Sequence, residues 1–383
     1  MTITSARGFR AAGVSAGLKS SGGLDVALVV NDGPSYAAAG VFTSNRVRAA
    51  PVLWCEQVLG TGQLQAVVLN SGGANACTGP AGFADTHRSA EHAAAELGIG
   101  AIDVAVASTG LIGVRLPMPA LLSGISRAAE ELSTAGGQNA AEAIMTTDSV
   151  PKQASVSRDG FTVGGMAKGA GMLAPGLATM LVVLATDARV DPSSLDAALR
   201  AASTATFDRV DSDGAMSTND TVLLLASGAS AVTPDPAILT AALTEVCSDL
   251  VRQLLADAEG STKDISITVE QAATVEDALL VARAIARNNL VKCAFFGADP
   301  NWGRILAAVG TTTAAFDPDQ LDVVINGVEV CRAGQIGADR DTCDLSGRSV
   351  CVRVRLHAGE HDATVWTNDL SLAYVHENSA YSS

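Results

Sequence analysis

The sequence predicts an α+β protein built of layered mixed sheets and helices. Three observations carry this reading. Apolar runs of strand length, such as Leu24–Val30, Leu64–Leu69 and Thr221–Leu225, recur along the chain and end at turn-forming residues. Amphipathic helical segments lie between them. The longest is Ala237–Ala256, where Ile238, Leu239, Leu243, Val246, Leu250 and Leu254 form one stripe. Helices and strands also mix without the strict alternation of a doubly wound parallel sheet.

Taken in order, Leu24–Val30 is a strand ending at Asn31-Asp32-Gly33, and Leu64–Leu69 is a strand ending at Asn70-Ser71-Gly72-Gly73. The alanine-rich Asp85–Leu97 reads as a helix with Asp85 as N-cap. Asp103–Ala107 is a short strand leading to Ser108-Thr109-Gly110, and Pro119–Leu132 has apolar residues at helical spacing. Thr179–Thr186 is a strand, and Ser193–Ala202 is a helix preceded by Pro192. Thr274-Val275-Glu276-Asp277 opens a helix that runs to Arg287. Val323–Val330 contains Asn326-Gly327 and reads as a hairpin. Val350–Leu356 alternates apolar residues with Arg353 and Arg355, as a half-exposed strand does.

The chain has 383 residues, 48% hydrophobic and 17% charged, enough for two or three domains with a substantial core. A net charge of −15 argues against nucleic acid or an anionic membrane as the main partner. Seven cysteines occur without a C-x-x-C pair. They read as small core residues of a reducing compartment. No run approaches the length of a membrane helix, and the first residues lack the apolar stretch of a signal peptide. A cytoplasmic protein is the expectation.

The most informative stretch is Lys168-Gly-Ala-Gly-Met-Leu-Ala-Pro-Gly-Leu-Ala-Thr179-Met-Leu. A glycine-rich, proline-broken loop runs into an apolar strand, with a threonine at the junction. The ordinary reading is a β-forming residue opening a buried strand. The alternative is a nucleophile whose base is its own α-amine, freed by cutting the chain after Ala178. That amine has a pKa near neutrality, about 7.7–8.0. Gly169-Ala170-Gly171-Met172-Leu173-Ala174 also fits a relaxed dinucleotide fingerprint, but Pro175, Gly176 and the β-rich run after them replace the helix it needs.

Ser108-Thr109-Gly110 can aim a hydroxyl and backbone N–H groups at one point, as an oxyanion hole requires, or can be a plain turn. Met145-Thr146-Thr147-Asp148 can contact a polar substrate or cap a helix. Lys168 can hold a carboxylate, and Glu259, just past the long helix, can receive an amine. His357-Ala358-Gly359-Glu360-His361 matches an inverted zinc-protease pattern, yet Gly359 and flanking strands make it a hairpin loop. The remaining histidines do not cluster, so no metal is expected.

Together these pieces resemble the ornithine acetyltransferase family. The Lys168-to-Leu181 stretch is the key match. Ser108-Thr-Gly110, Met145-Thr-Thr-Asp148, Ser217-Thr-Asn-Asp220, Glu259-Gly260, Asp299-Pro-Asn-Trp-Gly303 and Asn378-Ser-Ala-Tyr381 follow in the family's order over nearly the whole chain. The resemblance implies self-cleavage between Ala178 and Thr179 into an α chain, 1–178, and a β chain, 179–383. It further implies an α2β2 assembly and an α+β sandwich-like fold.

It implies acetyl transfer from N2-acetylornithine to glutamate through an acetyl ester on Thr179. Thr109 and Gly110 would stabilise the oxyanion. Thr146 or Thr147, with Lys168, Glu259, Asn378 and Ser383, would line the substrate site. No nucleotide or metal cofactor is implied, and the motifs leave acetyl-CoA open as a second donor. The chain carries Gly176 where the family often has Asn, and Ser383 where many members end in threonine. The alternatives are a self-cleaving amidase or aminopeptidase using water, a paralogue of secondary metabolism with another acceptor, and a non-catalytic binding protein.

Overall fold

The computed structural model describes residues 2–174 and 180–380. Three sheets organise them. The first contains β1 (Phe9–Val14), β2 (Val26–Asn31), β4 (Ala66–Ser71) and β5 (Val104–Thr109), in the order β1-β2-β4-β5. The second contains β3 (Ala37–Phe42), β6 (Lys152–Arg158), β7 (Phe161–Lys168), β8 (Leu181–Thr186) and β9 (Thr221–Ala226), in the order β3-β9-β8-β7-β6. The third contains β10 (Asp264–Ala272), β11 (Asp322–Ile325), β12 (Val328–Arg332), β13 (Gln335–Ile336), β14 (Ser349–Arg355) and β15 (His361–Asn368), in the order β13-β12-β11-β14-β10-β15.

Side-chain alternation explains why the first two sheets stack. Successive strand residues point to opposite faces, and β8 is apolar on both. Leu181, Val183 and Ala185 join the core shared with the first sheet. Val182 and Leu184 join a second core, with α5 (Pro192–Ala205) and α6 (Pro236–Ala256). On the far side the first sheet is covered by α1 (Ala50–Val58), α2 (Gly79–Leu97) and α3 (Met118–Glu130), whereas α4 (Gly137–Ala143) lies on the inner face, against Gly13 and Ser71. The layers therefore run helix, sheet, sheet, helix. Gly165 leaves room on this face, since a Cβ there would lie 2.6 Å from Leu184 of β8 and 3.3 Å from Val246 and Leu250 of α6.

The third sheet packs on α7 (Val275–Ala286), and α8 (Asn289–Phe296) and α9 (Trp302–Val309) complete its core. α10 (Leu372–Ala380) closes the described chain. No helix among the described residues is long and apolar enough to cross a membrane. All seven cysteines are unpaired; Cys55, Cys247, Cys331 and Cys343 are buried, whereas Cys77, Cys293 and Cys351 are exposed and do not serve as core residues.

Several sequence expectations are refined. The helix expected from Asp85 starts six residues earlier, at Gly79, with Pro80 in its first turn. Asp85 lies inside it, buried, and pairs with Arg115 at 2.7 Å rather than capping. His357–His361 is not a hairpin loop. β14 runs parallel to β10 and β15 antiparallel to it, so β10 lies between them and the connection crosses its end. His357 instead meets Asp322 at 2.8 Å. The Asn326-Gly327 hairpin is present, with both residues at positive φ (45° and 85°), as a tight two-residue turn needs. The start of the strand expected at Thr179 lies outside the described residues.

Two buried charges tie the third sheet to the second core. Lys292 donates to the Ser212 carbonyl at 2.6 Å and to Thr367 Oγ1 at 3.1 Å. Burial pushes its ammonium down to about 8. Asp211 pairs with Arg287 at 2.7 Å with its own side chain fully buried. Burial pushes the Asp211 carboxyl up to about 6, against the pull of Arg287. The folded state thus holds this proton more tightly than the unfolded chain. The contribution is fully present below about pH 4 and is lost as pH rises through about 6. Urea unfolding at pH 4.5 and 7 is expected to show Asp211→Asn reducing the wild-type difference between the two by roughly 2 kcal/mol.

Candidate active site

The two stacked sheets share an edge, and the loops gathered there form one cavity. In the first sheet, β4 and β5 run parallel and end together at Ser71 and Thr109. In the second, Lys168 at the end of β7 lies opposite Leu181, which opens β8, and Leu181 lies beside Thr221, which opens β9. Asn219 joins the two edges, donating from its amide to the Ala74 carbonyl at 2.6 Å and the Ser108 carbonyl at 2.8 Å.

Thr109 and Gly110 form one wall. Gly110 has φ +128°, and a Cβ on it would lie 2.5 Å from the Gly73 nitrogen. The Gly73 N–H donates to the Thr109 carbonyl at 2.9 Å, so the two glycine turns hold each other. Gly110→Ala is expected to strain this turn by roughly 1–3 kcal/mol. It would also displace the Thr109–Gly110 wall, lowering kcat by about 10²-fold with little change in KM. Steady-state kinetics beside a melting curve checks this.

Thr146, Thr147, Lys168, Glu259 and Asn378 line the same cavity. Lys168 is 2% exposed, and its Nζ lies 3.4 Å from Thr109 Oγ1. Burial pushes its ammonium below the ordinary lysine value, against the opposing pull of Asp148. Glu259 follows α6, and its N–H donates to the Ala170 carbonyl at 3.0 Å. Its carboxylate accepts from Asn378 on α10 at 2.9 Å. Gly171 makes room for it, because a Cβ there would lie 2.7 Å from that carboxylate. Ala178, Thr179 and Ser383 lie outside the described residues.

Sequence reasoning missed the support beneath this wall. Asp148 accepts the Gly169 N–H at 2.6 Å and the Thr146 N–H at 3.0 Å. Its carboxylate also receives Lys152, which is fully buried and bridges to Asp257 past the end of α6, both at 2.6 Å. Burial works to raise the Asp148 carboxyl. The charges of Lys168 and Lys152 and the hydrogen bonds it accepts outweigh burial and hold it below the ordinary value. Lys152 and Asp257 lie 105 positions apart, so spacing carried no signal of the pair. Ser217, Thr218 and Asn219 also line the cavity. They stood in the sequence only as part of a family motif.

The arrangement offers hydroxyls, one buried cation and one carboxylate around a small cavity beside the strand that follows residue 179. Among the described residues, no three His, Cys, Asp or Glu side chains gather as metal ligands would.

A model of the ArgJ family matches residues 10–383. The chain belongs to the ArgJ family. This is the family whose motifs the sequence resembles, and the chain is an enzyme of arginine biosynthesis. Among relatives, the arginine biosynthesis bifunctional protein ArgJ of Streptomyces coelicolor is 64% identical over 100% of both chains. The protein of the same name from Thermobifida fusca is 62% identical over 100% of both. Among solved structures, the ornithine acetyltransferase of Mycobacterium tuberculosis complexed with ornithine is 62% identical. That match covers 47% of this chain and 96% of the other, with a TM-score of 0.45.

Proposed function

We propose that this ArgJ-family chain transfers the acetyl group of N2-acetylornithine to glutamate, releasing ornithine and forming N-acetylglutamate. The observation that carries this reading is the convergence of Thr109, Gly110, Thr146, Thr147, Lys168, Glu259 and Asn378 on one cavity. The chain would cut itself between Ala178 and Thr179, and chains 1–178 and 179–383 would stay together as a cytoplasmic α2β2 assembly. Thr179 Oγ attacks the acetyl carbonyl, and its own α-amine takes the hydroxyl proton. The Thr109 hydroxyl and the Gly110 N–H stabilise the oxyanion. Ornithine leaves with that proton, and the amine of glutamate then attacks the acetyl ester.

Both substrates are α-amino acids, so a cation and a carboxylate suit them. Lys168 fits the α-carboxylate, and Glu259 the side-chain ammonium of ornithine. Ser383 would complete the site. No metal or nucleotide cofactor takes part. The bifunctional name of the relatives supports a second donor, acetyl-CoA, acylating the same threonine.

The test is ornithine release from N2-acetylornithine with and without glutamate. Release that depends on glutamate and matches N-acetylglutamate formed is expected. Release into water alone supports the self-cleaving amidase reading, and transfer to a different amine supports a paralogue of secondary metabolism. Incubation with acetyl-CoA and glutamate tests the second donor.

A further inference from the structure

A second cavity lies between α7, the turn Phe207–Arg209 that follows α5, and Met216. Its volume is about 880 Å³, the size of a small-molecule site. Among the described residues it shares no lining residue with the reaction cavity, and the reaction outlined above does not use it.

Three arginines line it. Arg283 on α7 and Arg287 just past its end are four residues apart and share a face. Arg209 meets them from the turn. Arg287 holds Asp211 at 2.7 Å. The other two bond to main-chain carbonyls: Arg209 Nε donates to Thr204 at 3.0 Å, and Arg283 Nη2 to Asp208 at 3.2 Å. Arg283 Nε is buried and has no hydrogen-bond partner among the described residues, and a buried donor left bare is costly. Burial pushes the Arg283 guanidinium below its ordinary value, and Arg287 and Arg209 push the same way against Asp211 and Asp208. Asp208 and Glu276 also line the cavity, so it carries both signs. Met216, Leu279 and Leu280 supply an apolar wall, with Leu280 41% exposed. Guanidinium forks beside such a wall suit a carboxylate carried on a short hydrocarbon chain.

The segment 211–219 connects this cavity to the first. Met216 lines the second cavity, and the next three residues, Ser217, Thr218 and Asn219, line the reaction cavity. Asp213 accepts the N–H of Met172, another lining residue of the reaction cavity, at 2.7 Å. Arg287 grips the start of the same segment at Asp211.

We propose that this second cavity binds a small organic carboxylate, its head on Arg209 and Arg283 and its chain on Met216, Leu279 and Leu280, and that occupancy alters the reaction cavity through segment 211–219. The binding does not depend on the reaction proposed above; only its effect on the rate does.

The test is calorimetric titration of the full chain with hexanoate, norleucine and inorganic phosphate. Saturable binding of hexanoate or norleucine, tighter than that of phosphate, is expected. Tighter norleucine identifies an amino acid whose ammonium meets Glu276, and tighter hexanoate a simple carboxylic acid. Arg209→Gln and, separately, Leu280→Asp are expected to weaken binding of the tighter probe by about tenfold or more. Lys168→Met, which removes the cation of the reaction cavity, is expected to leave it unchanged. Absence of saturable binding, binding no tighter than that of phosphate, or binding lost in Lys168→Met and kept in Arg209→Gln overturns the site.

In acetyl transfer, a saturating concentration of the tighter probe is expected to change kcat/KM at least about fivefold in wild type and far less in Arg209→Gln. A bound probe that leaves the rate unchanged overturns the coupling. A protein that binds the probe but transfers no acetyl group defeats the reaction proposed above and leaves this site standing.

Discussion

Thr179→Ala is expected to leave a single chain of 383 residues, whereas the wild type gives two fragments meeting at Ala178 and Thr179. Acetyl transfer by the variant is expected to fall by at least about 10⁴-fold, the scale seen when a covalent nucleophile is removed. Alanine has no hydroxyl to attack the preceding carbonyl, and without the cut there is no α-amine to act as base. Both functions fail together. Thr179→Ser keeps the hydroxyl and should still cut, more slowly. Intact mass under denaturing conditions reads the first effect, and ornithine release reads the second. A wild-type chain that remains whole after folding would sink the nucleophile, and a binding protein would then be the better reading. A cut Thr179→Ala chain would show that the scission belongs to another residue or a contaminating protease.

Lys152→Met is expected to give the largest loss of stability among substitutions next to the cavity. Lys152 is fully buried, with Asp148 and Asp257 both 2.6 Å from its Nζ. Methionine keeps the length of the stem but leaves two carboxylates facing each other without a cation. Removing one partner of a buried ionic group costs about 3–5 kcal/mol, and the melting temperature should fall by several degrees. The cavity should suffer as well, because Asp148 also accepts the Gly169 N–H at the end of β7. Adding Asp148→Asn to Lys152→Met should recover part of the stability, since Asp257 is slightly exposed and also binds the Ser149 N–H at 3.0 Å. Thermal melts of the two single variants and the double variant form the cycle. If Lys152→Met melts within a degree of wild type, the bridge is not the support inferred for this wall.

What the sequence by itself determined is the periodic part of the molecule and the family. The apolar stripe of Ala237–Ala256 became α6 with its ends nearly in place, capped by Asp235 and opened by Pro236. Alternation in Val350–Leu356 became β14 with alternating burial. These signals are local: a 3.6-residue or 2-residue repeat reports which face meets a core, whatever that core is. Short helices such as α8 and α9 escaped this reading because their caps, Asn288 and Asn301, mark a start while the helices are too brief for a stripe to repeat. The ordered motifs likewise pointed to one family without any contact being known.

Tertiary structure decided which residues stand together. Thr109, Lys168, Glu259 and Asn378 come from four separate stretches, and only the shared edge of two stacked sheets gathers them around one cavity. It also decided the electrostatics. Lys168, Asp148, Lys152 and Asp220 look like ordinary charged residues in the sequence. Burial changes the balance between charged and neutral forms, and the outcome depends on which opposite charge the fold brings within a few ångströms. Asp148 has two lysines and is held ionised. Asp220 has Lys168 as its opposing charge among the described residues, and burial prevails. That difference is set by desolvation and distance, neither of which a residue's position in the chain encodes.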